Sequence, residues 1–83
     1  MAATAALKND TIWLQAGDYD VVALNDKLSS HVPELSKALR HGVPVLPDSS
    51  RYGFYDVELS NGWSYIHVYD DARTVYLVAY SRN

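Results

Sequence analysis

His67 and Asp56 are the one pair in this chain whose types suit proton transfer. Strand pairing set by the turns described below places them opposite each other, and a carboxylate beside an imidazole orients a general base. A nucleophile should then stand next to them, but Ser64 falls on the other face of the same strand. The pair therefore reads first as a satisfied polar contact, and no catalytic residue is assigned. No cofactor or metal is expected. His31, His41 and His67 fall on different elements, outside any ligand motif. Asp70-Asp71 lacks the alternating acidic ligands of a calcium loop. Gly17, Gly42, Gly53 and Gly62 are isolated, so no phosphate-cradling loop is formed. Cysteine is absent, which removes disulfide and thiolate chemistry and suits a reducing cytoplasm.

Recognition is the chemistry better represented. Trp63, Tyr65, Tyr69, Tyr76 and Tyr80 recur through the last third of the chain, interleaved with Asp56, Glu58 and His67. Tyr and Trp bury large area at low entropic cost and keep a polar tip, which makes them anchors of binding sites. The competing account is structural, since tyrosines also form strands well and pair across them.

These residues need strands to position them. Asn61-Gly62 is the preferred pair for a two-residue type I′ hairpin, and Asp70-Asp71-Ala72-Arg73 supplies a second turn. The first turn pairs Leu59 with Ser64 and Asp56 with His67; the second pairs Tyr69 with Thr74 and Trp63 with Tyr80. Alternation then puts Tyr55, Val57, Leu59, Ile66, Val68, Val75, Leu77 and Ala79 on one face. Phe54, Asp56, Glu58, Trp63, Tyr65, His67, Tyr69, Thr74, Tyr76, Val78 and Tyr80 share the other. The aliphatic face must pack on helices.

The remaining elements follow from shorter signals. Residues 1–10 read as a flexible N-terminal tail, and residues 11–83 as a single α+β domain. Thr11–Gln15 is β-prone and makes a short first strand. Asp18 or Asp20 caps a first helix carrying Val21, Leu24 and Leu28 on one side. Ser30 caps a second, with Pro33 in its first turn and Val32, Leu35, Ala38 and Leu39 as its buried stripe. Arg40 and His41 close that helix and Gly42 stops it, after which residues 43–50 read as an extended connector. The expected fold is a short N-terminal strand, a helical hairpin and a three-stranded antiparallel meander.

The chain has 83 residues and a formal net charge of −3. Its seven Lys and Arg are scattered, no two adjacent, so it lacks the basic stripe that grips nucleic acid. A partner protein with a basic surface suits it better, as does self-association into a homodimer. No apolar run approaches membrane-spanning length and no secretory signal is read, so a cytoplasmic protein is expected.

The order of strand, helix hairpin and meander resembles the RelE/ParE family of bacterial toxins. The stretch that carries the resemblance is Tyr-Asp-Asp-Ala-Arg-Thr-Val-Tyr-Leu-Val-Ala-Tyr-Ser-Arg, residues 69–82, which is similar to that family's final hairpin. Tyr55 to Leu59 is similar to its preceding strand. The resemblance implies either ribosome-dependent mRNA cleavage or poisoning of gyrase. For the cleaving branch it implies a site of cationic, aromatic and His side chains, onto which Arg82, Tyr80 and His67 map. Ser64 stands where a sheet Arg is expected, and the helices lack the family's excess of Lys and Arg. A developing phosphate charge needs such cations. The leading expectation is thus a small non-enzymatic binding protein, a modulator or inhibitor of a larger macromolecule. Its binding residues are Asp56, Glu58, Trp63, Tyr65, His67, Tyr69, Tyr76, Tyr80 and Arg82.

Overall fold

A computed structural model describes residues 3–83. Seven strands form one mixed sheet: β1 (Thr4–Lys8), β2 (Thr11–Gln15), β3 (Asp20–Ala23), β4 (Val43–Pro47), β5 (Phe54–Leu59), β6 (Gly62–Tyr69) and β7 (Thr74–Arg82). Their order across the sheet is β1-β2-β4-β5-β6-β7-β3, antiparallel throughout except where β3 runs parallel to β7. A 3₁₀ segment, Asp26–His31, leads directly into the helix α1 (Val32–His41).

This corrects the expected architecture of one strand, a helical hairpin and a three-stranded meander. The segment expected as the first helix is β3 followed by the 3₁₀ segment. Val21 and Val22 are β-branched, stiff at χ1, and satisfied by pairing with Val75 and Tyr76 of β7. Leu28 is buried, but from the 3₁₀ segment, whose N-cap is Asn25 rather than Asp18 or Asp20. The Asn25 side chain accepts the Leu28 N–H at 3.2 Å. α1 keeps its expected stripe, with Leu35 and Leu39 buried and Val32 and Ala38 packed beside them. Its N-cap is His31, not Ser30, and its C-cap is Gly42 at φ 88°.

Two segments expected to be irregular are strands. Within the expected tail, whose first two residues lie outside the described residues, Thr4–Lys8 is a strand that pairs with β2 through the two-residue turn Asn9-Asp10, whose φ values of 52° and 63° are those of a type I′ hairpin. The connector after α1 is β4, lodged between β2 and β5 despite its prolines. The ladder to β2 covers Val43–Val45 and the ladder to β5 covers Val45–Pro47. Pro44 and Pro47 each lie where the strand is paired on one side only, so a missing N–H is tolerated.

The connectivity forces the sheet to curl. β2 and β3 are five positions apart in the sheet, roughly 24 Å if it were flat at the usual strand spacing. Only residues 16–19 join them, and a step from Gln15 to Asp20 spans about 17 Å at most. The sheet therefore bends around α1. The joint is fixed by the Ala16 N–H donating to the Leu39 carbonyl at 3.0 Å. Tyr19 ties the two edges together: its hydroxyl accepts the Ala3 N–H at 3.1 Å and donates to Asp70 Oδ1 at 2.5 Å. That second bond pushes the Tyr19 phenol above its ordinary pKa.

The core lies inside the curl. Leu35 and Leu39 meet Leu14, Val43, Val45, Val57, Ile66, Val75 and Leu77 from the strands. Each fully buried Leu contributes about 1.5 to 3 kcal/mol relative to exposure. At the far end Glu34 Oε2 accepts from the Ser60 N–H at 3.0 Å and its hydroxyl at 2.5 Å. Those bonds pin α1 to the β5–β6 turn and lower the Glu34 pKa.

In the β5–β6 hairpin the two faces stand as expected, but the register differs. Leu59 pairs with Gly62 and Asp56 with Tyr65, so Ser60-Asn61 is the turn. An even shift of two keeps every side chain on its face. Gly62 is a strand residue without positive φ. Its role is clearance: a Cβ there would come within 2.3 Å of the Ser81 carbonyl oxygen and 2.9 Å of Arg82 Cα. The β6–β7 pairing runs as expected from Tyr69–Thr74 to Ile66–Leu77, then slips at a bulge where Val78 has no partner. Beyond it Tyr65 opposes Ala79 and Ser64 opposes Tyr80, which exchanges the faces of those β7 residues.

Candidate docking face

α1 covers one side of the sheet, and among the described residues no element lies over the other. Alternation assigns that open face Trp13 from β2, Leu46 from β4, Phe54, Asp56 and Glu58 from β5, and Trp63, Tyr65, His67 and Tyr69 from β6. Tyr76 follows from β7, opposite His67. Leu46 is 59% exposed, Tyr69 43% and Trp13 38%, while Trp63, Tyr65 and Tyr76 are half-buried by their neighbours.

The expected Asp56–His67 pair does not form. Asp56 opposes Tyr65, and His67 opposes Phe54. Phe54 and His67 stack with centroids 4.2 Å apart and planes 4° from parallel; the Tyr65 ring lies 5.6 Å from that of Phe54. Tyr69 and Tyr76 tilt toward His67 at 5.8 and 6.3 Å. His67 is thus held within an aromatic cluster, with no carboxylate bonded to it among the described residues. Ser64 lies on the helix side, fully buried, with its hydroxyl unpartnered among the described residues.

The loop between β4 and β5 borders this cluster. Gly53, at φ 84°, turns the chain so that its carbonyl accepts the Val68 N–H at 2.8 Å. Asp48 Oδ1 accepts from the Ser50 N–H at 2.9 Å and the Ser50 hydroxyl at 2.8 Å, and Asp48 Oδ2 accepts from the Tyr65 hydroxyl. The Tyr65 bond, with those from Ser50, holds the Asp48 carboxyl down to about 2 and raises the Tyr65 phenol. The Arg51 guanidinium sits over the Phe54 ring, 4.0 Å from its centroid.

Of the nine residues expected to bind, seven share this face: Asp56, Glu58, Trp63, Tyr65, His67, Tyr69 and Tyr76. Tyr80 does not. The bulge turns it to the helix side, where it stacks on His31 at 3.6 Å and 10°. Arg82 is exposed at the end of β7, opposite Gly62. Trp13 and Leu46 join the face unforeseen, because β2 and β4 were not expected beside the meander. Asp48 was hidden in what read as a connector, and Arg51 lies just beyond its end. Two shallow depressions mark the surface. One of about 170 Å³ is lined by Thr11, Pro44, Leu46, Glu58 and Trp63; one of about 310 Å³ is lined by Leu24, Arg51, Phe54, His67, Tyr76 and Val78.

Among the described residues no His, Asp and Glu cluster could hold a metal ion. No helix among them is long and apolar enough to cross a membrane. The fold and this face define a curled sheet wrapped on one helix, with an aromatic outer surface. No family model, curated relative or solved structure matches the chain.

Proposed function

We propose that this chain is a small non-enzymatic binding protein that docks a partner protein of basic surface on the open face of its sheet. In that role it acts as a modulator or inhibitor of a larger macromolecule. The observation that supports this most is the exposure of Trp13, Leu46 and Tyr69, beside half-buried Trp63, on a sheet whose other side is filled by α1. An exposed face bearing large side chains of this kind is characteristic of an interaction site. Asp56 and Glu58 lie within it, and the chain carries a net charge of −3, so a cationic counterpart is favoured electrostatically. Phosphate backbones are disfavoured on the same ground.

A toxin-like nuclease reading draws no support from the site. His67 and Tyr80 lie on opposite faces of the sheet, and Arg82 belongs to neither cluster.

Both tryptophans of the chain, Trp13 and Trp63, lie on the open face, so intrinsic fluorescence reports on it directly. Docking of the partner is expected to shift their emission to the blue and to protect them from acrylamide. Complex formation that leaves emission and quenching unchanged would place the interface elsewhere.

A further inference from the structure

β1 is one outer edge of the sheet, and separate features agree on which of its backbone groups face outward. Pro44 stands opposite Trp13 and has no N–H to give, so that position is a non-bonded one and Ile12 and Leu14 bond to β4. Thr11, Trp13 and Gln15 then bond to their β1 partners Lys8, Ala6 and Thr4. The two-residue turn requires the same phase, since Lys8 and Thr11 flank it and close it with a bonded pair. Ala3 continues the alternation: its N–H is taken by the Tyr19 hydroxyl at 3.1 Å and not by β2. Ala5 and Leu7 are left, with N–H and C=O groups directed away from β2 and no backbone partner for them among the described residues.

Such an edge is a template for another strand unless something blocks it. β1 carries no proline and no bulge, and its one charge, Lys8, stands at the turn. All of its residues are exposed, Leu7 by 72%. The opposite edge, β3, is shorter and opens on Asp20. The pattern of β1 also selects its partner. An antiparallel copy of the same strand matches Ala5 with Leu7 and Leu7 with Ala5, so both outward residues are paired. A shift in one direction sets Leu7 against Ala3, whose N–H is already taken. A shift in the other sets Ala5 against Asn9, which leaves the strand at φ 52°. The remaining register places Ala6 against Ala6 at the close, non-bonded position, where small side chains meet without crowding. It sets Lys8 against Thr4 rather than against another charge.

We propose that two copies of this chain join antiparallel along β1, edge to edge, about a twofold axis at Ala6. Ala5 and Leu7 exchange N–H···O=C bonds with Leu7 and Ala5 of the second copy, and the two sheets become one. On the open face the row runs Trp13, Ala6, then Ala6 and Trp13 of the second copy, which makes the docking faces of the two copies continuous. On the helix side each Leu7 lies beside Ala5 of the second copy. The contact is small, so the dimer is a reversible one. It uses the sheet edge and not the open face, so it holds or fails apart from the docking of a partner protein there.

The test is sedimentation of the purified chain over a concentration series, with amide hydrogen exchange read by NMR. The average mass should rise from that of one chain toward that of two between about 10 µM and 1 mM. The Ala5 and Leu7 amides should exchange fast in dilute samples and slow by at least about tenfold at the top of the range. Ala6, bonded to β2, should be slow throughout. Leu7→Pro removes an outward N–H and leaves the β1–β2 bonds in place, so it should weaken association by at least about tenfold. Ala6→Lys and Ala6→Glu each set like charges against one another on the axis. Either variant alone should stay monomeric, and an equimolar mixture of the two should dimerise. A chain monomeric throughout the series would overturn the proposal. So would a dimer whose Ala5 and Leu7 amides stay fast, one undiminished by Leu7→Pro or by both Ala6 variants, or a mixture no more associated than either variant alone.

Discussion

Phe54 and His67 occupy directly opposed positions on β5 and β6, and their rings stack in parallel at 4.2 Å. The imidazole serves as a flat packing surface, with its diagonal neighbour Asp56 turned to Tyr65 instead. His67→Phe preserves that surface and is expected to change stability by less than about 1 kcal/mol. His67→Ala removes it and should cost about 1 to 2 kcal/mol, in the range of an aromatic pair plus its lost area. Urea denaturation of the two variants makes the comparison.

Glycine at position 62 answers to space. Gly62→Ala puts a Cβ against the Ser81 carbonyl and Arg82 Cα, and is expected to destabilise by about 2 to 4 kcal/mol. Asp10→Gly should instead stabilise, by up to about 1 kcal/mol, because Asp10 holds φ 63° in the β1–β2 turn. Opposite signs in thermal denaturation are the outcome to look for.

Ser64 carries a fully buried hydroxyl without a partner among the described residues, on the helix side of β6. Desolvating such a group without a hydrogen bond costs about 1 to 3 kcal/mol. Ser64→Ala is therefore expected to match or exceed the parent in stability, by up to about 1 kcal/mol, as read from a urea midpoint at unchanged slope.

Asp48 ties stability to acid pH. Its folded pKa is held down to about 2, chiefly by the Tyr65 hydroxyl, whereas an unfolded Asp titrates near about 3.9. A depressed pKa means that the unfolded chain takes up the proton first, so the stabilisation is complete above the unfolded value and fades as pH falls toward 2. The difference in Tm between parent and Asp48→Asn should be constant from neutral pH down to about 5 and shrink between about 4 and 2. A difference that widened on acidification would contradict the bond. In Tyr65→Phe the Asp48 carboxyl should titrate at higher pH by NMR.

The parts of this fold legible in the sequence are those where alternation or helical spacing is strong. The facing sets of β5 and β6 were separable because Val57, Ile66 and Val68 alternate cleanly with Glu58, Tyr65 and His67, and an even register error leaves faces intact. The Leu35 and Leu39 stripe with Gly42 behind it marked α1 for the same reason. β1 gave no such signal, since every residue from Thr4 to Lys8 is exposed, and only the αL-tolerant Asn9-Asp10 pair betrays the hairpin. Pro44 and Pro47 disguised β4, because its staggered ladders are a tertiary property. β3 finds its partner some fifty residues away in β7, which no local period reveals. The Val78 bulge, invisible to turn chemistry, moved Tyr80 off the face and so removed one expected anchor.

The central claim is that the open sheet face docks a protein. Its most direct test is affinity capture from the native host with the parent chain, with Trp63→Ser and Leu46→Ser on that face, and with Lys37→Ala on exposed α1 as a control. Each variant is first shown to unfold cooperatively. The account predicts a protein retained by the parent and by Lys37→Ala, lost with Trp63→Ser and Leu46→Ser, and released as salt is raised. Retention undiminished in both face variants, or loss in Lys37→Ala alone, would contradict it.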